Sequence, residues 1–483
     1  MAKHNITNTI AIRNYKRLIM YIKNIFKYIV LIFLFIIIYI IMNKIKNDLE
    51  TLTKDINNIF YNANDNISNI LKTKNINTRT KKLSFTDALT YKFLCAYKNY
   101  TNTQVVADLN FTNIKVDINN YYKKEQKIPL EYYENILNNT KQILNKYSNK
   151  NLKDRIIAVD GTYNNTNFKN DKKLETTLNM GYYDVSNCVP IHIDLKNYSD
   201  KNKEISAFIE YVDNSKLDMQ NIIFVMDRAY FSYDLFEYLN KKNIKFVIRV
   251  KNNCIHLKKN KSVLHKNKCE YVRFVSYNTT ITSIIKDKKN KDRSVTRNLS
   301  CNIATNLNQT YDEDTIKNIY KSRWDVEVFF KLIKSNFKFS YLTEHNTQTR
   351  ICYLKKYIVI LINCMLERIF ELVLEDPPKN NKYNIKYNKS LALNGLKQII
   401  SNIINSTLTS EILFKYLNNF FTLVYSEKNK NNPRTSKIPF SKWYVKNYIY
   451  KYKNDKLIDA IDNNTLEKLN KNLKMEALTI TLL

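Results

Sequence analysis

Near residue 151 the hydrophobic period of this chain changes, and that break decides which architectures are open to it. Before it, apolar side chains recur at helical spacing, as in Phe85, Ala88, Leu89, Tyr91 and Leu94, and again in Tyr132, Ile136, Ile143 and Leu144. After it come apolar runs of strand length. Arg155-Ile-Ile-Ala-Val-Asp160-Gly161-Thr162 reads as a short buried strand ending in an acid and a turn, followed by strand-like runs at Thr176 to Tyr183 and Val189 to Leu195. A helical stretch around Glu204 to Val212 leads to the apolar strand Ile222 to Met226, which ends at Asp227. A helix with Phe231, Leu235, Tyr238 and Leu239 on one face then precedes a strand at Phe246 to Val250. Three strands, helix, strand, helix, strand is a mixed α/β layout, which excludes a pure bundle and a pure sandwich.

This core is flanked on both sides. Residues 43–151 form a helical region and a candidate DNA-binding part, in which Asn99 to Thr103 and Val116 to Lys124 fit the turn and second helix of a helix-turn-helix. The basic run Tyr121-Tyr122-Lys123-Lys124 suits a phosphate backbone or a solvated helix face. The catalytic region is expected over 152–374, with a basic, alternating, β-rich insertion at about 251–300, a further strand at Cys301 to Leu307 and a long amphipathic helix from Asp312. Helical apolar residues run from Tyr357 to Leu374 and close at Pro377-Pro378. Residues 375–483 are Asn/Lys-rich, helical in places and uninformative about chemistry.

Lys and Arg number 78 against 44 Asp and Glu, a formal net charge of +34 in 483 residues. Part of that excess follows a codon-like bias towards Lys, Asn, Ile and Tyr; the rest attracts a polyanion through counterion release. Apolar residues at 44% exclude a wholly disordered chain. The seven cysteines are irregularly spaced and odd in number, which points to reduced thiols rather than a disulfide framework. Cys254, His256, His265 and Cys269 cluster in one basic stretch, but their spacing fits no standard zinc module.

Tyr28 to Met42 is uninterrupted apolar or aromatic and follows Lys23 and Lys27, so it reads as a membrane-helix candidate slightly shorter than the usual ~20 residues. The flanking charges would place the bulk of the chain across the membrane. That conflicts with reduced cysteines and with a nucleic-acid partner. Two readings resolve the conflict: translation that starts at Met42, with 1–42 as upstream sequence, or a tether with the rest of the chain on the cytoplasmic face. The expected location is intracellular, with DNA, and membrane-tethered if 1–42 is translated.

Two carboxylates, Asp160 and Asp227, stand at the carboxyl ends of apolar strands, where ligands bind in open sheets. A third element is the helix with Tyr320, Arg323, Glu327, Lys331 and Lys334 on one stripe, bordered by the apolar Ile319, Val326, Phe329, Phe330 and Ile333. Three acids of this kind suit phosphodiester chemistry with two divalent ions ~3.5 to 4 Å apart. Mg²⁺ takes a few hard carboxylate oxygens together with water and substrate phosphate.

The run Tyr320 to Lys334 (YKSRWDVEVFFKLIK) resembles the Y-x2-R-x3-E-x6-K signature of the IS4-type DDE transposases. The segment from Asp227 to Leu239 looks like that family's second-acid segment, Asp160-Gly161-Thr162 like its first, and Ala304 to Leu307 like the strand before the signature helix. Leu83 to Leu89 resembles the start of the helical amino-terminal region, so the likeness covers about residues 80 to 372. It implies an RNase H-like core, with Asp160, Asp227 and Glu327 as catalytic residues that ligate two Mg²⁺ or Mn²⁺ ions. Tyr320, Arg323, Lys331 and Lys334 would grip double-stranded DNA near the cut, and Trp324 would stack on a displaced base. Family members cut at transposon ends, often through a hairpin, and join the 3′ hydroxyl to target DNA; the expected active form is a homodimer. The rival reading is a domesticated or decayed transposase that binds DNA without cutting, with a membrane anchor as a further variant. A membrane-like leader is no part of the family pattern.

Overall fold

The computed structural model describes residues 46–63, 83–112, 116–148, 154–167, 174–197, 203–215, 217–250, 271–286, 292–339, 349–427 and 434–435. The apolar run 28–42 and the Cys254 to Cys269 cluster lie outside these residues. Among the described residues no helix is long and apolar enough to cross a membrane. Their five cysteines, Cys95, Cys188, Cys301, Cys352 and Cys364, are free thiols.

The centre of the molecule is a mixed sheet built from β1 (Arg155–Asn167), β2 (Leu174–Asp184), β3 (Val189–Asn197), β4 (Ile222–Met226) and β5 (Lys245–Val250), with β6 (Arg273–Lys286) and β7 (Asp292–Thr305) beyond them. The spatial order is β6-β7-β5-β4-β1-β2-β3. β1, β2 and β3 are antiparallel neighbours, β4 and β5 run parallel to β1, and β7 runs antiparallel to β5. This is the mixed α/β layout that the order of elements implies. All five residues of β4 are buried, which is why that strand reads as an unbroken apolar run, as a strand covered on both faces must.

Two strand limits differ from the sequence reading. β1 does not stop at Asp160. Its ladder to β4 ends at Val159, opposite Met226, while its pairing with β2 continues through Gly161 and Thr162 to Asn167. The acid therefore sits in mid-strand, at the point where one neighbour ends and the other goes on. The run at Cys301 is likewise the end of the 14-residue β7 rather than a separate strand.

The helices are α1 (46–63), α2 (Phe85–Cys95), α3 (Asn102–Thr112), α4 (Ile118–Gln126), α5 (Leu130–Tyr147), α6 (Lys203–Asn214), α7 (Tyr233–Lys241), α8 (Glu313–Ser322), α9 (Trp324–Asn336) and α10 (Thr349–Leu372), then α11 (Lys389–Leu396), α12 (Ile400–Ile404) and α13 (Ser410–Phe420). α2 opens with a capping box. Ser84 Oγ accepts from the Asp87 amide at 2.9 Å, and the Ser84 amide donates to Asp87 Oδ2 at 3.1 Å, so two otherwise orphaned donors are satisfied. Tyr121 of α4 is buried, and the Lys124 ammonium donates to the Leu83 carbonyl at 2.6 Å. Half of the basic run expected to face a phosphate backbone is thus engaged with protein. β8 (Tyr383–Tyr387) and β9 (Leu423–Glu427) form a separate antiparallel pair. Residues 278–300 group with 429–483 as a second unit, in which β10 (Arg434–Thr435) runs parallel to β6 at Ser283 and Ile284.

The long amphipathic helix expected from Asp312 is divided. α8, capped by Asp312 Oδ1 on the Thr315 amide at 2.7 Å, ends at Ser322, and α9 begins at Trp324 with Arg323 at the joint. Tyr320 therefore belongs to α8, where it is buried against Ile223, Val225, Val247 and Ile303. Glu327, Lys331 and Lys334 belong to α9, whose Phe329, Phe330 and Ile333 are buried in the main core.

Candidate active site

β1 and β4 are in register with Val159 opposite Met226, so Asp160 and Asp227 come next on two adjacent parallel strands. Asp227 ends its strand and caps the short turn Arg228–Tyr230, its Oδ1 accepting from the Ala229 amide at 2.6 Å. The Asp160 carboxyl is pushed up to about 7, chiefly by burial; Asp227 and Glu204 raise it further, while Arg323 and the Gly161 amide, 2.9 Å from Oδ1, hold it down. Carboxylates crowded in this way favour a cation.

α9 closes the site from the sheet face. Glu327 accepts from Arg323 Nη2 at 2.5 Å, and the guanidinium is attracted by both Glu327 and Asp160. Burial alone would lower the pKa of Arg323; these partners raise it. The Lys334 ammonium donates to Thr162 Oγ1 at 2.5 Å and is attracted by Asp160, although burial lowers its pKa. Tyr320 lies beside Arg323, with the guanidinium 5.9 Å from its ring centroid. Trp324 is 48% exposed and Lys331 is exposed. The sheet and α9 thus gather Asp160, Asp227, Arg323 and Lys334 and place Glu327 beside Arg323. Among the described residues no three carboxylate, His or Cys side chains converge closely enough to hold one ion.

Two residues join the site that the sequence reading did not single out. Glu204, in the first turn of α6, has its carboxylate against Gly161 and accepts from the Tyr163 hydroxyl at 2.9 Å. Its pKa is raised by burial, with a further push from Asp227. The signal was available in the order of elements. α6 feeds the parallel strand β4, and twelve helical residues span roughly 18 Å against about 17 Å for the five-residue strand. The first turn of such a helix lies level with the strand's far end, where Asp227 stands. The second residue is Arg249, one position past the Ile248 to Met226 pairing and hence level with Asp227; its charge acts on Tyr320.

The hard oxygens of Asp160, Asp227 and Glu204 are of the kind that Mg²⁺ or Mn²⁺ takes, whereas Glu327 is paired with Arg323. Residues 151–356 match the family model for the transposase DDE domain. No curated protein matches the chain. Among solved structures, one that is similar is a piggyBac transposase in a cryo-EM synaptic complex with hairpin DNA, at 10% identity over 81% of this chain and 80% of that one. Its TM-score to this chain is 0.33.

Proposed function

We propose that the chain is a metal-dependent DNA transposase of the IS4 type, which cleaves the ends of a mobile element and joins the freed 3′ hydroxyl to target DNA, acting as a homodimer on paired ends. The observation that carries this reading is the register of β1 and β4, which sets Asp160 beside Asp227 under the helix that bears Glu327. Two bound Mg²⁺ or Mn²⁺ ions would supply activation of the attacking oxygen and stabilisation of the leaving one. Asp160, Asp227 and Glu327 are the residues to hold them, with Glu204 beside the first two. Arg323 and Lys334 bind the phosphates flanking the cut, exposed Lys331 extends that contact, and Tyr320 holds Arg323 in place. Trp324, 48% exposed, would stack on a displaced base.

The test begins with the DNA flanking the gene, searched for terminal inverted repeats bounded by a short target duplication. Duplexes carrying those ends are then offered with Mn²⁺. Wild type cleaves them; Glu327→Gln abolishes cleavage while DNA binding persists. Unchanged cleavage by Glu327→Gln would overturn the assignment. One observation favours the second reading, a decayed transposase that binds without cutting: the Glu327 carboxylate is taken up by Arg323. Binding without cleavage by wild type would establish it.

A further inference from the structure

Away from the carboxylates, a cavity of about 570 Å³ opens at the outer edge of the sheet, where β3 is the last strand, and is lined by α5, β3 and α6. Asn138, Lys141 and Asn145 reach it from one stripe of α5, at helical steps of three and four. His192, Asp194 and Lys196 reach it from alternate positions of β3. Arg155 also lines it; this residue opens β1, five residues before Asp160 and so roughly 17 Å along the strand from it.

The charges on this wall do not pair off. Asp194 and Glu210 both lie against one ammonium, that of Lys196, at 3.1 and 2.6 Å. Arg155 Nε donates to Asp184 at 2.5 Å, and the same carboxylate accepts from the Asn187 amide and side chain at 3.0 and 2.7 Å. Lys141 is left over. Burial lowers its pKa, Arg155 lowers it further, and among the described residues no acid acts to raise it. A cation half withdrawn from water beside another cation costs stability, and nothing in the fold offsets that cost. His192, near Lys141, is neutral at pH 7 because burial pulls its pKa down to about 4, and a neutral imidazole can donate one hydrogen bond to a ligand. Leu144, Ile191, Leu217 and Met365 add an apolar side to the cavity.

We infer that this cavity binds a small organic carboxylate, with Lys141 as its counter-ion. The uncompensated charge is a single positive one, which a monoanion neutralises. Arg155 and His192 supply further donors on the same wall, and charge-assisted bonds of this kind are the strong ones. The volume far exceeds a carboxylate group, so the anion enters with a body, and Leu144, Ile191, Leu217 and Met365 suit an apolar one. A face with no ligand to bind gains nothing from keeping an unpaired cation half buried; a binding site keeps it at the expense of stability. The inference is independent of the DNA reaction proposed above. Inorganic phosphate and a DNA phosphate are also oxyanions, and the test separates them from a carboxylate.

The experiment titrates the full chain with sodium benzoate, sodium acetate and inorganic phosphate by isothermal calorimetry, each against sodium chloride at matched ionic strength. Wild type binds benzoate at a single site, and more tightly than acetate, which lacks the apolar body. Lys141→Met removes the charge but fills the space, and weakens benzoate about tenfold or more; Lys141→Arg, which keeps the charge, retains most of the affinity. Thermal unfolding without ligand gives a second readout: Lys141→Met melts at or above the wild-type midpoint, because the unpaired cation is gone. A clearly lower midpoint shows that the lysine has a partner within the fold and overturns the inference. So does a wild type that fails to bind benzoate, or equal binding by Lys141→Met. Phosphate binding without benzoate binding overturns the carboxylate class. Loss of duplex DNA affinity in Lys141→Met, with benzoate unbound by wild type, assigns the cation to nucleic acid instead.

Discussion

Glu204 shows how much a single side chain can add to an acid pair. Its carboxylate lies so close to the main chain beside Asp160 that a Cβ at position 161 would meet Oε1 at 2.7 Å. Glycine there is what lets an acid from α6 approach. The Tyr163 hydroxyl holds that carboxylate, and its neighbours are Asp160 and Asp227. If it orients the site, Glu204→Gln lowers single-turnover end cleavage roughly 10- to 100-fold, the range seen for groups that position metal ligands, and leaves duplex affinity unchanged. Cleavage at the wild-type rate would remove Glu204 from the site.

The elements are set by a second glycine. Gly181 of β2 is the direct partner of Asp160, and a Cβ there would come within 2.5 Å of the Phe330 ring of α9. Phe330 thus rests on bare backbone, packed against Phe329 and Phe339, and this contact fixes how near Glu327 stands to the sheet. The chain has three glycines in 483 residues, and two of them flank the first acid. Gly181→Ala forces α9 outward, since the far side of the contact is an aromatic ring in a filled core. The expected cost is about 1 to 3 kcal/mol of stability by denaturant unfolding, with cleavage impaired more than DNA binding. A midpoint unchanged from wild type would show that α9 has room to yield. The break at Arg323 acts at the same scale: it lets Tyr320 bury itself on the β4, β5 and β7 side while Lys334 turns towards β1.

Over the whole molecule, the helices on either side of the core cover the sheet, with α10 packed on both α5 and β3. Under that cover His192 of β3 stacks on Tyr211 of α6, ring centroids 5.1 Å apart, and lies 5.6 Å from the Tyr182 ring. Burial pulls its pKa down to about 4. Lys141 and Lys196 add to the fall, and Asp194 opposes it. The folded state therefore resists protonation that the unfolded chain accepts near pH 6.5. Stability is full above that pH and is lost as pH falls towards 4, by at most about 3 kcal/mol. His192→Phe keeps an aromatic ring in the stack and removes the proton, so its urea midpoint changes less than that of wild type between pH 6.5 and 5. Parallel curves for the two proteins would count against His192 as the source.

The sequence by itself determined the class of fold and singled out the candidate acids and bases, because both reside in local patterns. A change of apolar period marks strands and helices wherever burial is one-sided or complete, and Asp160, Asp227, Arg323, Glu327 and Lys334 stand at spacings that a family signature preserves along the chain. The extent of β1 past Asp160, the division of the signature helix at Arg323, the approach of Glu204 and the cavity at Lys141 were decided only by tertiary structure. β1 continues because β2 supplies a partner after β4 has ended, and no residue of β1 announces which neighbour stops first. Glu204 and Lys141 are polar residues among many in a Lys- and Asn-rich chain; only the packing of α6 on the sheet, and of α5 beside its edge, gives them a neighbour to act on.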